Sequence, residues 1–193
     1  MRVVCLLSGS GTNLGALIEA QAHGQLGQAT LVGVFSNVPD AFGLERARRA
    51  NLPTKSLSHR EFPTREAFDQ AMIDALEDWH PDLVVMAGFM RIVSPAFVAH
   101  YAGRLVNIHP SLLPKYKGLD THRRALEAGD QEAGATVHWV SDALDEGEII
   151  DQIRVPILPN DTVELLQARV LAAEHILYPR VIRSLSQARG QAL

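Results

Sequence analysis

The chain has 193 residues, 47% of them hydrophobic, with 18 lysines and arginines against 22 aspartates and glutamates. That is enough apolar material for one well-packed domain and too little length for two. A net charge of −4, a pI near 6.0 and scattered basic residues exclude the basic face that a nucleic-acid backbone requires.

Residues 2–7 read as a buried strand, and this apolar run is too short for a secretory signal or a bilayer span. Its Cys5 is the only cysteine, so no intramolecular disulfide forms, and a small core residue is expected there rather than a nucleophile. A cytoplasmic protein without membrane association is the expectation. The strand stops in Ser8-Gly9-Ser10-Gly11, and Thr12 is placed to cap a helix carrying Leu14, Leu17 and Ile18 on one face. Residues 31–35 form a second strand, followed by Ser36-Asn37 and a helix over 42–50; residues 54–57 form a short third strand. The spacing of Phe68, Met72, Ala75 and Leu76 predicts a helix over 65–79, and residues 83–87 a fourth, strongly apolar strand. A short helix over 96–100 leads into a fifth strand, 104–109; a loop with prolines and glycines, 110–119, precedes a helix ending at 128. Two more strands, 135–140 and 149–155, and a long closing helix, 163–185, complete the chain.

Strands alternating with helices predict a single α/β domain over 1–193, a mostly parallel twisted sheet of Rossmann-like kind with helices on both faces. The last strand or strands are candidates for antiparallel pairing. Residues 1–100 form the half expected to bind a phosphorylated substrate, residues 101–193 the catalytic half. In such folds ligands sit beyond the carboxyl ends of the strands, where the strand order reverses. The unusual residues all follow strands: residues 8–13, Asn37, residues 88–92 and residues 109–111.

Gly9-Ser10-Gly11-Thr12-Asn13 lies between strand and helix, where free N–H groups favour an anion. Leu14 stands where a dinucleotide fingerprint has its third glycine, and Asn37 stands where a ribose-binding acid belongs. No Gly-Lys-Ser/Thr follows, so a triphosphate loop is excluded; a monophosphate cradle is favoured over a purely structural turn. Asn107 and His109 fall on one face of the fifth strand. An amide donor beside an imidazole suits a tetrahedral oxyanion, although a polar strand end would look the same. Asp142 and Asp145 follow the next strand, and either is placed to pair with His109. His109, His122 and His138 make no ligand-spaced pair, so no metal is expected. Ser111 lacks the Gly-x-Ser-x-Gly elbow of a hydrolase.

His109-Pro110-Ser111-Leu112-Leu113-Pro114, with Asn107 before it and Asp145 after it, resembles the folate-dependent formyltransferases. Gly9-Ser10-Gly11-Thr12-Asn13-Leu14, Phe35-Ser36-Asn37, Ala41-Phe42-Gly43-Leu44, Ala87-Gly88-Phe89-Met90-Arg91-Ile92 and Glu174-His175 extend the resemblance over nearly the whole chain. They narrow it to the members that formylate a phosphorylated glycinamide in purine synthesis. The resemblance implies that the substrate's phosphate lies on Gly11, Thr12 and Asn13, with Glu174 also contacting substrate. It implies 10-formyltetrahydrofolate as co-substrate, bound by Arg65, Met90, Arg91, Ile92, Val93, Ser141, Asp142, Ala143 and Leu144. Asn107, His109 and Asp145 become the catalytic trio, with protonated His109 and Asn107 holding the oxyanion and Asp145 supporting the imidazole. It further implies a cis Leu113–Pro114 bond and residues 115–120 as a cover over the ligands, in a monomer or homodimer.

The sequence departs from the family pattern at Glu146 and Glu148, two negative charges set against a folate's glutamate tail, and at Asp120, where some members carry His. It also ends short of the C-terminal segment of many members. Members acting on a charged tRNA carry an added basic domain, which neither the length nor the charge of this chain provides. A formyltetrahydrofolate hydrolase, expected to carry an extra N-terminal domain, and a non-catalytic phosphate- or nucleotide-binding module are the alternatives.

Overall fold

The computed structural model describes residues 1–191. The elements run β1 (Arg2–Leu7), α1 (Thr12–Ala22), β2 (Thr30–Ser36), α2 (Phe42–Arg49), β3 (Thr54–Ser56), α3 (Arg65–Glu77) and β4 (Leu83–Met86). Then come α4 (Pro95–His100), β5 (Leu105–His109), α5 (Thr121–Glu127), β6 (Glu132–Trp139), β7 (Ile149–Pro156) and α6 (Val163–Gln191). They match the predicted elements, with shifts at the ends. A single 3-10 turn at His59–Glu61 lacks any apolar period and was not predicted. β6 begins three residues earlier than expected, at Glu132, because its first residues pair with Val155 and Pro156 of β7.

One seven-stranded sheet has the order β3-β2-β1-β4-β5-β6-β7. Strands β1 to β5 are parallel. β6 runs antiparallel to β5, and β7 antiparallel to β6. This is the mostly parallel Rossmann-like sheet expected, and the candidates for antiparallel pairing are indeed the last two strands. Helices cover both faces, and the alternation of β1 shows why both are needed. Val3, Cys5 and Leu7 pack into a cluster with Leu14 and Leu17 of α1, Leu44 of α2 and Leu177 of α6. Val4 and Leu6 point the other way, toward Phe68 and Met72 of α3 and Phe97 of α4. A strand buried on both faces reads as a continuous apolar run, which is how β1 and β4 appear in the sequence.

Strand order reverses between β1 and β4: from β1 the chain first builds outward to β2 and β3, then returns to β4 on the other side. The loops that leave β1 and β4 part at this point and open a crevice at their carboxyl ends. Ser8 and Ala87 still tie it together, through Ser8 N to Gly88 O at 3.0 Å and Ala87 N to Leu6 O at 2.9 Å.

The entry into α1 differs from expectation. Thr12 is the first helical residue, and Gly11 occupies the cap position with φ 67° and no side-chain cap. A Cβ on Gly11 would lie 2.6 Å from Gly43 Cα, so glycine serves both the left-handed turn and the close approach of α2. The initial N–H groups of α1 are therefore left without a side-chain acceptor. The Leu113–Pro114 bond is cis. Among the described residues no helix is long and apolar enough to cross a membrane.

Cys5 is wholly buried in β1, and burial pushes its thiol up to about 12. The native protein should therefore resist a thiol reagent such as dithionitrobenzoate at pH about 8 and release one equivalent of chromophore only in denaturant. Rapid native labelling would show that β1 is not packed as described.

Candidate active site

Two contiguous cavities lie at the crevice. The first, of about 360 Å³, is lined by the turn Ser8–Asn13 together with Gly88, Gln167, Leu171 and Glu174. The second, of about 570 Å³, is lined by Met90, Arg91, Ile92, Asn107, His109 and Asp145 among others. Gly88, Met90, Ile108, Pro110, His122 and Gln167 line both and join them. All four residues expected to hold the phosphorylated substrate (Gly11, Thr12, Asn13 and Glu174) thus fall in one cavity, and the expected catalytic trio falls in the adjoining one.

In the first cavity, the uncapped start of α1 supplies free N–H groups and the positive end of the helix dipole. Asn13 and Glu174 are buried side by side, with Asn13 Nδ2 donating to Glu174 Oε2 at 2.6 Å. Burial pushes the Glu174 carboxyl up to about 7, opposed only by that bond. One turn along α6, the Tyr178 hydroxyl donates to Met86 O at 2.9 Å and reaches Val106 O at 3.4 Å. This fixes α6 to β4 and β5 and sets the depth at which Glu174 enters the cavity.

In the second cavity, Asn107 and His109 stand two residues apart on β5, as alternation requires. Of the two acids expected as partners, Asp145 is the one that pairs: His109 Nδ1 lies 3.4 Å from Asp145 Oδ2, both side chains being 7% exposed. Asp142 is exposed in the preceding turn. The second ring nitrogen, His109 Nε2, lies 2.9 Å from Tyr116 O. Both nitrogens face acceptors, so a ring carrying two N–H groups satisfies both contacts. Asp145 Oδ2 also accepts from Gly118 N at 2.9 Å, which ties the loop after β5 to the acid. Tyr116, Asp120 and Asp145 all hold positive φ, near 52–56°, a left-handed conformation unfavourable for side chains with a Cβ. Three such residues in one site are held by the surrounding contacts rather than by local preference.

His138 completes this cluster, and sequence reasoning considered it only as a possible metal ligand. Its Nδ1 donates to Trp139 O at 2.9 Å, which leaves Nε2 as the acceptor, 3.4 Å from Asn107 Nδ2 and 3.7 Å from Asp145 Oδ1. Burial lowers the pKa of His138, so a neutral ring is favoured. The sequence signal lies in the β5–β6 register, which sets Asn107 opposite His138, and that register is a tertiary property.

The expected folate contacts divide. Met90, Arg91, Ile92 and Leu144 line the second cavity; Met90, Ile92 and Leu144 are exposed apolar side chains, as is Leu119 beside them. The Arg91 guanidinium lies over the Phe68 ring, 5.3 Å from its centroid, and its Nε is buried without a hydrogen-bond partner among the described residues. Val93 is buried in the core on the α3 side. Arg65 opens α3 and pairs with Glu66 at 3.4 Å, and Ser141, Asp142 and Ala143 lie outside the cavity wall. Of the three acids that depart from the family pattern, Glu146 pairs with Lys117 Nζ at 2.6 Å and Glu148 is exposed. Asp120 stands at the cap position of α5 without a side-chain cap bond.

The model of the formyl transferase family matches residues 1–182. The chain is 54% identical over 182 residues to phosphoribosylglycinamide formyltransferase of Escherichia coli (strain K12), covering 94% of this chain and 85% of that protein. It is 43% identical over 182 residues to the human trifunctional purine biosynthetic protein adenosine-3, covering 94% of this chain and 18% of that protein. Among solved structures, glycinamide ribonucleotide transformylase 1 from Symbiobacterium toebii superimposes with a TM-score of 0.94 at 44% identity, covering 98% of this chain and 89% of that one. The residues at the crevice and the whole-chain similarity agree, and this chain belongs to the formyl transferase family.

Proposed function

We propose that the protein transfers the formyl group of 10-formyltetrahydrofolate to the amine of 5-phosphoribosylglycinamide, a step of de novo purine synthesis. The observation that carries this is the junction of two cavities, one built around an uncapped helix start and the other around Asn107, His109 and Asp145. The substrate's phosphate lies on Gly11, Thr12 and Asn13, and its amine reaches through the shared wall at Gly88 and Ile108. The folate lies along the exposed apolar residues Met90, Ile92, Leu119 and Leu144. Arg91 faces it with an unused N–H. Val93, Ser141, Asp142 and Ala143 contribute through the backbone of the flanking loops, and Arg65 reaches the exposed end.

The substrate amine attacks the formyl carbon and forms the new C–N bond, and the formyl oxygen becomes an oxyanion. Asn107 and the charged imidazole of His109 donate to that oxygen, in a buried site where such donors act strongly. The Nε2–H held by Tyr116 O is the donor freed for this when residues 115–120 rearrange over the ligands. Asp145 holds the imidazolium through Nδ1, and neutral His138 holds the amide of Asn107. The tetrahedral centre collapses as the C–N bond to the folate breaks. The folate nitrogen takes the departing electron pair and a proton, the incoming amine loses one by way of water, and tetrahydrofolate leaves.

A spectrophotometric assay of formylfolate turnover tests this directly. Turnover only in the presence of phosphoribosylglycinamide is expected; turnover without it would make the protein a hydrolase, and none at all a binding module. His109→Ala should lower kcat by about 10²–10³ with KM little changed, because a transition-state donor is removed. A variant retaining more than roughly a tenth of kcat would remove His109 from the chemistry. Asn13→Ala should raise KM for the phosphorylated substrate and leave the folate KM nearly unchanged. A selective rise in folate KM would mean that the two cavities have been assigned the wrong way round.

A further inference from the structure

Asn13 spends its Nδ2 on Glu174, while its Oδ1 is buried without a hydrogen-bond partner among the described residues. A half-turn of the amide exchanges the two atoms. Oδ1 then faces Glu174 and accepts from a neutral carboxyl, and the NH₂ group is released.

The surroundings of Glu174 favour that exchange when an anion arrives. A phosphate monoester brings a charge of about −1.5 to −2 at neutral pH. Beside it, an ionised Glu174 would be a like charge at 7% exposure, with Asn13 as its only hydrogen-bond partner. The ionisable groups on the elements around it do not relieve this. From α5, His122 lines the same cavity, with its pKa lowered by burial and by His109, and so is neutral. Tyr178, on α6 itself, has given its hydroxyl hydrogen to Met86 O, and Cys5 of β1 is a buried neutral thiol. His175, Glu19 of α1 and Arg46 of α2 line a separate groove, and Arg46 Nε is already bonded to Ser10 O at 2.8 Å.

We propose that binding of the substrate's phosphate at Gly11–Asn13 draws one proton from solvent onto Glu174 and turns the Asn13 amide, so that the carboxyl passes from acceptor to donor and the amide NH₂ is presented to the phosphate. This rests on the assignment of that cavity to the phosphorylated substrate. Glu174 is then a positioning residue that binds the phosphate's partner in one orientation when neutral and in the other when ionised. The sign follows from its free-site value of about 7, which a neighbouring anion raises further. Well below pH 7 the carboxyl is already neutral and little proton is taken up. Between about 7 and the higher bound-state value, uptake approaches one proton, and KM for the phosphorylated substrate rises by up to about tenfold per pH unit.

Titration calorimetry with phosphoribosylglycinamide at about pH 8, in two buffers of different ionisation enthalpy, measures the protons exchanged on binding. The unaltered protein is expected to take up at least about half a proton more per substrate than E174Q, whose side-chain amide is a permanent neutral donor. Subtracting the two removes ionisation of the substrate's own amine and phosphate. The same binding step in the unaltered protein is expected to produce the C=O stretch of a protonated carboxyl in the infrared difference spectrum, which decides the matter even if E174Q fails to fold. Equal proton uptake by the two proteins, or no such band, would overturn the coupling. Failure of the unaltered protein to bind the phosphorylated substrate at all would instead overturn the assignment of the cavity.

Discussion

The central strands β1 and β4 are buried on both faces, so polar side chains collect at the ends of the strands, and the reversal of strand order between β1 and β4 makes one such place wide enough for a ligand. The rest of the molecule follows from that constraint. The odd residues of β1 are committed to α1 and α6, and the even ones to α3 and α4. The loops after β1 and β4 must therefore diverge, and the two cavities open between them. The antiparallel addition of β6 and β7 then brings His138 and the turn bearing Asp145 over the end of β5, which a further parallel strand would have left uncovered.

Within the crevice, Asp145 is the point of convergence. Its carboxylate meets His109 on one oxygen together with a loop N–H, and faces His138 with the other. A carboxylate only 7% exposed needs both of the donors on that first oxygen, His109 and the Gly118 N–H, since desolvation would otherwise exceed what one ion pair returns. The left-handed backbone at Tyr116, Asp120 and Asp145 is the accompanying strain, borne by loop residues while β5 keeps ordinary strand geometry. Positional accuracy thus comes from the strand and adjustability from the loop.

The two cavities use opposite electrostatic devices. Around His109, both ring nitrogens face acceptors and Asp145 pairs with one of them, an arrangement that in the proposed reaction holds an oxyanion. Around Glu174, the carboxylate has an amide and no cation, so its ionisation answers to whatever occupies the cavity. The chain carries −4 overall, so the proposed recognition of an anion rests on helix N–H groups and single side chains.

The sequence by itself determined a great deal here, because the relevant signals are local. The apolar run of β1, the Gly9–Asn13 turn, the i, i+2 placement of Asn107 and His109, and the alternation of strands and helices each depend only on neighbours along the chain. They were enough to name the fold and to propose the phosphate turn and the pair Asn107 and His109, and the family resemblance proposed the remaining contacts. What it left open are relations between distant segments. The residues alone offered Asp142 and Asp145 equally and the resemblance named Asp145; the turn after β6 is what sets Asp145 rather than Asp142 against His109. The sequence placed a cap on Thr12, where the close approach of α2 to Gly11 instead leaves the helix start bare. It saw His138 as an isolated histidine, although the antiparallel register sets that ring against Asn107. Strand pairing, helix approach and side-chain burial join residues tens of positions apart, and their geometry is fixed only when the sheet closes its core.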